Sequence, residues 1–285
     1  MNSRYKGIFF ITLSALSFAF MNAFVRLSGD LPSVQKSFFR NLVAFFIALV
    51  MILRSGDGFK IEKGNLKYMI LRATFGTVGI LCNFYAVDHL VLSDASMLNK
   101  MSPFFVIIFS FLLLKEKMTP AQALAVAGAF IGSLFVIKPT FTNMALVPSL
   151  IGLCGGICAG IAYAMVRILG QRGQKGSSVV IFFSGFSCVV KLPYLLLDFH
   201  PMSGLQILTL LGAGLAAAGG QFGITAAYYH APAKEISIYD YSQIIFSTIL
   251  GFFLFGQVPD RYSVLGYVII CAMALWMFVY NKNRD

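Results

Sequence analysis

Charge is what this sequence has least of. Only 12% of its 285 residues are Asp, Glu, Lys or Arg, against roughly 25% in a soluble domain, while 58% are hydrophobic and 29 are Phe. A water-soluble globule is excluded. The connections between apolar stretches are short and leave no segment able to fold outside a membrane. The formal charge of +11 therefore has no exposed basic domain to carry it, and a nucleic-acid partner is excluded with it. Cysteine supplies neither a disulfide framework nor a metal site. The five, Cys82, Cys154, Cys158, Cys188 and Cys271, are odd in number and scattered through apolar stretches, where they read as packing residues. Catalytic signatures are missing too. His89, His200 and His230 fall near the ends of apolar stretches, no His-Glu-x-x-His helix occurs, and no Gly-x-Ser-x-Gly has a histidine placed to activate it. Gly212, Gly214 and Ala217 imitate a dinucleotide fingerprint but lie inside an apolar helix with no strand before them. No nucleotide-binding motif, metal or other cofactor is expected.

What is present is length of apolar run. About 20 mostly apolar residues cross a bilayer, and ten such stretches occur at 7–28, 34–53, 66–87, 92–114, 120–138, 147–170, 177–198, 205–228, 234–256 and 262–280. The first follows Arg4 and Lys6 as a signal peptide would, but its roughly 22 apolar residues exceed a secretory core and no small-residue cleavage pattern follows, so a retained helix is expected. Lys and Arg set the orientation. With the N-terminus cytoplasmic, the inside segments collect Arg4, Lys6, Arg54, Lys60, Lys63 and Lys67, then Lys115, Lys117, Arg172, Lys175, Lys234, Lys282 and Arg284. The outside loops hold little beyond Lys138 and Arg261. Both termini are expected in the cytoplasm and the chain in the cytoplasmic membrane.

The ten stretches form two similar sets of five. At an offset of 141, His89 falls on His230, Ser96 on Ser237, Phe105 on Phe246, Phe111 on Phe252, Leu113 on Leu254, Gly79 on Gly220 and acidic Asp94 on acidic Glu235. At an offset of 145, Gly7 falls on Gly152 and Ala19 on Ala164. Order, loop lengths and matched residues agree. Because five is odd, the second set must thread the membrane in the opposite sense. The expected fold is an all-α polytopic membrane protein of ten transmembrane helices, built as two inverted five-helix repeats at 1–143 and 144–285. Two inverted copies meeting at the midplane are the architecture of alternating access.

Local motifs agree. The second stretch opens on Phe38, Phe39 and Arg40, the third on Leu71 and Arg72, and the fourth ends at Leu113 to Glu116 before Thr119. Equivalent places in the second half carry Phe255, Gly256, Gln257, Val258, Pro259 and Asp260, then Gly266. On these residues the chain resembles the drug/metabolite transporter superfamily, EamA type, over essentially its whole length, and it is similar to metabolite exporters and to the S-adenosylmethionine transporter branch. Where the family often has Glu after both the fourth and ninth spans, this chain keeps Glu116 but has Gln257, so no role can rest on a symmetric acidic pair.

Polar groups at membrane depth are costly and mark function by default. Lys100 lies about eight residues into the fourth span, too deep to snorkel without strain. Its repeat counterpart is Tyr241, beside Asp240, the counterpart of Asn99. Asn99 and Lys100 on one helix and Tyr239, Asp240, Tyr241 and Gln243 on the other are therefore expected at similar depth near the pseudo-twofold axis, around a polar, hydrated cavity. Pro103 removes a backbone hydrogen bond and kinks the helix beside Lys100. Further substrate-binding candidates are Asn22, Arg40, Asn83, Tyr85, Tyr163 and Gln221, with Ser102 and Tyr228 beside them. Amides and hydroxyls hold a polar solute, and aromatic faces stack on a planar or cationic one. The competing reading makes Lys100 and Asp240 a buried ion pair that joins the halves and touches no solute. Arg40 could instead gate the outer mouth with Lys36, and Arg72 is read as a headgroup anchor. Asp240, Asp94, Glu116 and Glu235 are the carboxylates able to carry protons. Gly152, Gly156 and Gly160, like Gly128 and Gly132, offer flat faces for close helix packing.

The expected function is secondary transport of a small polar metabolite, amino-acid-like or nucleoside-like, by alternating access, in the export direction. An importer or exchanger of the S-adenosylmethionine or organic-anion type is the alternative, and an intramembrane enzyme the rival from another class. Expected partners are the solute and the lipid bilayer, and a homodimer stays open.

Overall fold

The computed structural model describes residues 3–55, 59–114, 119–138, 145–230 and 237–282. Glu116 and Glu235, two of the four candidate proton carriers, lie outside them. The described residues are helical: α1 (Ser3–Leu27), α2 (Ser33–Ser55), α3 (Leu66–His89), α4 (Leu92–Asn99), α5 (Ser102–Leu114), α6 (Pro120–Ile137), α7 (Leu146–Gln171), α8 (Gly176–Leu197) and α9 (Gly204–His230). A 3₁₀ turn (Ser237–Tyr241) then leads into α10 (Ser242–Phe255), and α11 (Arg261–Lys282) follows. These elements fall on the ten expected stretches with ends displaced by a few residues. Seven of the helices are long and apolar enough to cross a membrane unaided. The fourth and ninth stretches fall short because each is interrupted. α4 and α5 are separate helices with Lys100 and Met101 between them, and the ninth begins as 3₁₀ before it becomes α10.

Helix pairing follows the symmetry of an inverted repeat. If each helix of the first five corresponds to the one five spans later, a contact between spans 1 and 8 requires one between 6 and 3, while contacts of spans 2 and 7, 4 and 9, and 5 and 10 map onto themselves. The most extensive packing pairs are α1 with α9, α3 with α7, α6 with α11 and α2 with α8, and α4 packs on α10. Each of these pairs is either matched by its symmetry mate or mapped onto itself. Packing of α2 on α9 is likewise matched by α3 on α8, and α1 on α10 by α7 on both α4 and α5.

The break in the fourth span has a local cause. Pro103 has no N–H to give the carbonyl of Asn99, so the α-ladder stops. The backbone turns through the hydrogen bonds Met101 N–H to Leu98 O (3.2 Å) and Phe104 N–H to Met101 O (3.0 Å) before α5 resumes. The kink expected from Pro103 is thus a full interruption. Against it lies the small-residue face of α7. A Cβ on Gly156 would come within 2.5 Å of the carbonyl oxygen of Leu98, so only glycine lets α7 approach the broken backbone this closely.

The ninth span ends in a left-handed cap at Gly256 (φ +61°), with the Gln257 N–H bonded to Gly251 O at 3.0 Å. This turn aims the Gln257 side chain at the start of α4, where its Oε1 accepts the Leu92 N–H at 3.0 Å. Here Gln does what the sequence left unassigned: it satisfies a backbone donor at the first turn of α4. Gln257→Leu should lower stability by about 1 to 3 kcal/mol, the cost of an unpaired buried donor, whereas Gln257→Glu keeps the acceptor and should be tolerated. Thermal unfolding of the purified variants in detergent checks both.

Candidate functional site

The two interruptions meet in the middle of the bundle. Lys100, freed from the helix at the α4–α5 break, donates from Nζ to Asp240 Oδ2 at 2.6 Å, and Asp240 sits in the 3₁₀ turn that opens the ninth span. Both are buried, at 5% and 8% exposure. The other carboxylate oxygen, Asp240 Oδ1, has no hydrogen-bond partner among the described residues. Below the pair, a polar chain crosses between the halves. Asn83 Nδ2 donates to Asn22 Oδ1 (3.1 Å), Asn22 Nδ2 to Ser96 Oγ (3.5 Å), and Ser96 shares a 2.7 Å hydrogen bond with Ser247.

Lys100, Asn22 and Asn83 border one chamber. It holds about 80 Å³ of water-accessible space, several times the roughly 10 to 15 Å³ that one water needs. Of the residues expected from the sequence, Asn22, Arg40, Asn83, Asn99 and Lys100 line it, as do Tyr163, Gln221 and Gln243. Asp240 joins through Lys100. The structure leaves Tyr85, Tyr239 and Tyr241 outside the lining. Tyr85 lies two residues beyond Asn83 on α3, hence on the other side of that helix, and stacks on His89 at 4.1 Å. In a 3₁₀ turn successive side chains diverge by about 120°, so while Asp240 faces Lys100, Tyr239 is exposed and Tyr241 is buried in the apolar core with Ile270 and Ala274. Ser102 is buried but outside the lining, and the Tyr228 side chain lies outside the described residues.

Two basic residues correct the reading from sequence. Arg72 is no headgroup anchor. It is 5% exposed, its guanidinium lies 4.2 Å over the Phe183 ring and it lines the chamber. Gly76 makes room for it, since a Cβ there would fall 2.1 Å from Arg72 Nη1. Arg40 does not share a gate with Lys36. Lys36 pairs with Asp88 at 2.7 Å, while Arg40, at 1% exposure, turns into the chamber and donates to Asn41 Oδ1 at 2.5 Å. Behind Arg40 lies a cation not singled out from the sequence. Lys191 donates to Ser187 Oγ at 2.7 Å and also to Ser37 Oγ, and Asn41 Nδ2 donates to the same Ser187 oxygen at 2.7 Å. Depth was the available signal. Arg72 and Lys191 are each several residues inside their helices, the criterion that drew attention to Lys100.

At the far face of the bundle, opposite the N-terminus, the halves are tied across the mouth. Gln35 exchanges two hydrogen bonds with the His200 backbone (2.8 and 3.0 Å), Gln206 Nε2 donates to Ser28 O (3.1 Å) and Lys138 pairs with Asp260 (2.5 Å). At the N-terminal face, the ties between halves join the loop after α2 to the loop after α7, through Arg172 Nε to Asn65 Oδ1 (2.6 Å) and Gln174 Nε2 to Lys60 O (2.8 Å).

The EamA-like transporter family model fits twice, over residues 5–138 and 150–279. The chain belongs to the EamA-like transporter family. Its relatives include a pseudopaline exporter from Pseudomonas aeruginosa, 30% identical over 267 residues that make up 93% of each chain. Solute carrier family 35 member G1 from Homo sapiens is 28% identical, covering 93% of this chain and 77% of that one. A riboflavin transporter from Brucella anthropi is 26% identical, covering 87% and 88%. A solved crystal structure 15% identical in sequence superposes with a TM-score of 0.68 over 99% of both chains, which speaks for the fold alone. The EamA chain described here is a multi-pass membrane transporter of small metabolites.

Proposed function

We propose that this transporter is a secondary exporter of a small polar metabolite, working by alternating access in the cytoplasmic membrane with both termini in the cytoplasm. The observation that carries the reading is the Lys100–Asp240 pair, which joins the two interrupted spans from opposite halves at the edge of the chamber. An ion pair between elements with broken hydrogen-bond ladders is a two-state contact: closed it draws the halves together, and opened by a solute it frees both charges to bind. The repeats 1–143 and 144–285 rock about this point, and the ties at the far face release in one of the two states. The solute's own gradient, or exchange, supplies the energy. The named relatives support export and a polar cargo, since they include an exporter and a carrier of a vitamin. The chain carries out no catalysis in this reading and binds no nucleic acid.

Alternation has a direct test. In a variant with the five native cysteines replaced, a single cysteine at Asn99 should react with a membrane-impermeant thiol reagent applied from either side of oriented vesicles. Labelling from one side alone, whatever solute is present, would show a pocket with a single opening and end the alternating-access reading.

A further inference from the structure

The charge of the chamber is unbalanced. Among the described residues, Arg40 on α2, Arg72 on α3 and Lys100 at the α4–α5 break face it, and Asp240, already bonded to Lys100, is the carboxylate that answers them. No carboxylate among those residues pairs with Arg40 or Arg72, and the Nε of each, fully buried, has no hydrogen-bond partner. The buried amine of Lys191 lies behind Arg40, linked to it through Asn41 and Ser187. A guanidinium at membrane depth costs several kcal/mol unless something answers its charge, and two of them facing one small wet space repel one another as well. Packing alone gives no reason to keep Arg40 rather than an apolar side chain of similar length.

The second observation is how Arg72 is held. Its guanidinium lies over the Phe183 ring and is set into the space that Gly76 leaves. A guanidinium held over a ring face can present its N–H edge as the fork that donates to two oxygens of one anion. Tyr163 stands on the same wall, within electrostatic reach of both arginines and of Asp240, and offers a hydroxyl donor. All three groups are donors, so they suit an acceptor-only group.

We infer that the chamber is an oxyanion site, in which Arg40 and Arg72 clamp a carboxylate or phosphate group of the transported solute while Tyr163 orients it. The inference rests on the proposed transport reading and names the class of its cargo. The anion also competes with Asp240 for Lys100, so its arrival loosens the tie between the halves. The remainder of the solute then faces the amides of Asn22, Asn83 and Gln243.

The test uses the full chain, purified in detergent and reconstituted in liposomes, with L-malate and glycerol 3-phosphate as anionic probes, L-threonine and uridine as neutral or zwitterionic ones, and L-lysine as the cationic one, all at matched ionic strength. Malate or glycerol 3-phosphate should raise the unfolding temperature and be carried by the wild-type protein, and whichever of the two acts tells carboxylate from phosphate. Arg72→Gln and Arg40→Gln should each weaken that stabilisation about tenfold or more in apparent affinity, the effect of losing one charge-assisted contact. Arg72→Lys, which keeps charge but not the fork, should recover part of it. If neutral or cationic probes are carried and Arg72→Gln carries them as well as wild type, the anion assignment is wrong while transport stands. If the folded protein neither binds nor carries any probe, the transport reading fails and this inference with it. Circular dichroism of each variant separates loss of binding from loss of fold.

Discussion

Lys100→Met should abolish transport and destabilise the protein, and so should Asp240→Asn, but the double variant separates the two effects. Each single change leaves one charge buried without its partner, which costs about 3 to 5 kcal/mol; the loss should appear as a clear fall in unfolding temperature. In Lys100→Met/Asp240→Asn no unpaired charge remains, and most of that stability should return, because a buried ion pair contributes little net energy over a neutral replacement. Transport should not return. If the pair were only a strut between the halves, the double variant would recover stability and solute flux together. If it serves the solute, flux stays at least a hundredfold down in a protein that folds normally. Rates of solute uptake into liposomes, set beside thermal unfolding of the same preparations, decide between the two readings of a contact that geometry alone describes equally well.

Much of this was legible in the residues, and the pattern of what was not has a physical explanation. Helix number and limits follow from apolar length, which the bilayer dictates. The Lys100–Asp240 pair was legible because a charge far from an interface must find a partner, and the repeat offset brought Asp240 to the matching depth. The same rule applied to Arg72 would have placed it in the chamber; reading it as an interface anchor gave too much weight to its position near the start of α3. Lys191 escaped notice because its partners are the hydroxyls of Ser37 on α2 and Ser187 on α8, and no sequence pattern marks a hydroxyl as a lysine's partner. The tyrosines flanking Asp240 were misjudged for another reason. An α-helix was assumed where the backbone is 3₁₀, and a change in residues per turn redirects every neighbouring side chain. Nor could the Ser96–Ser247 contact be read from the repeat, which equates Ser96 with Ser237. Equivalence by symmetry and contact across the axis are different relations, and the second depends on a crossing geometry set by packing.

Gly156→Val should cost transport at least tenfold although it touches no charged group. The wall that positions Lys100 is backbone: the carbonyls of Leu98 and Asn99 at the end of α4, pressed against α7. A Cβ at position 156 would meet Leu98 O at 2.5 Å and Asn99 O at 3.6 Å, and a carbonyl oxygen on a broken helix cannot swing aside as the tip of a flexible side chain can. Either α7 retreats or the α4–α5 break moves. Overpacking of this kind costs about 1 to 3 kcal/mol, and moving the break carries Lys100 away from Asp240 and from the arginines. Gly170, on the same helix, is the control. Nothing lies within 4 Å of a Cβ built there, so Gly170→Ala should be neutral or stabilising by up to about 1 kcal/mol through helix propensity. The comparison measures how far the site depends on one close approach of backbone to backbone. If Gly156→Val unfolds at the wild-type temperature and transports normally, α7 does not buttress the break. Lys100 would then be held by its ion pair alone.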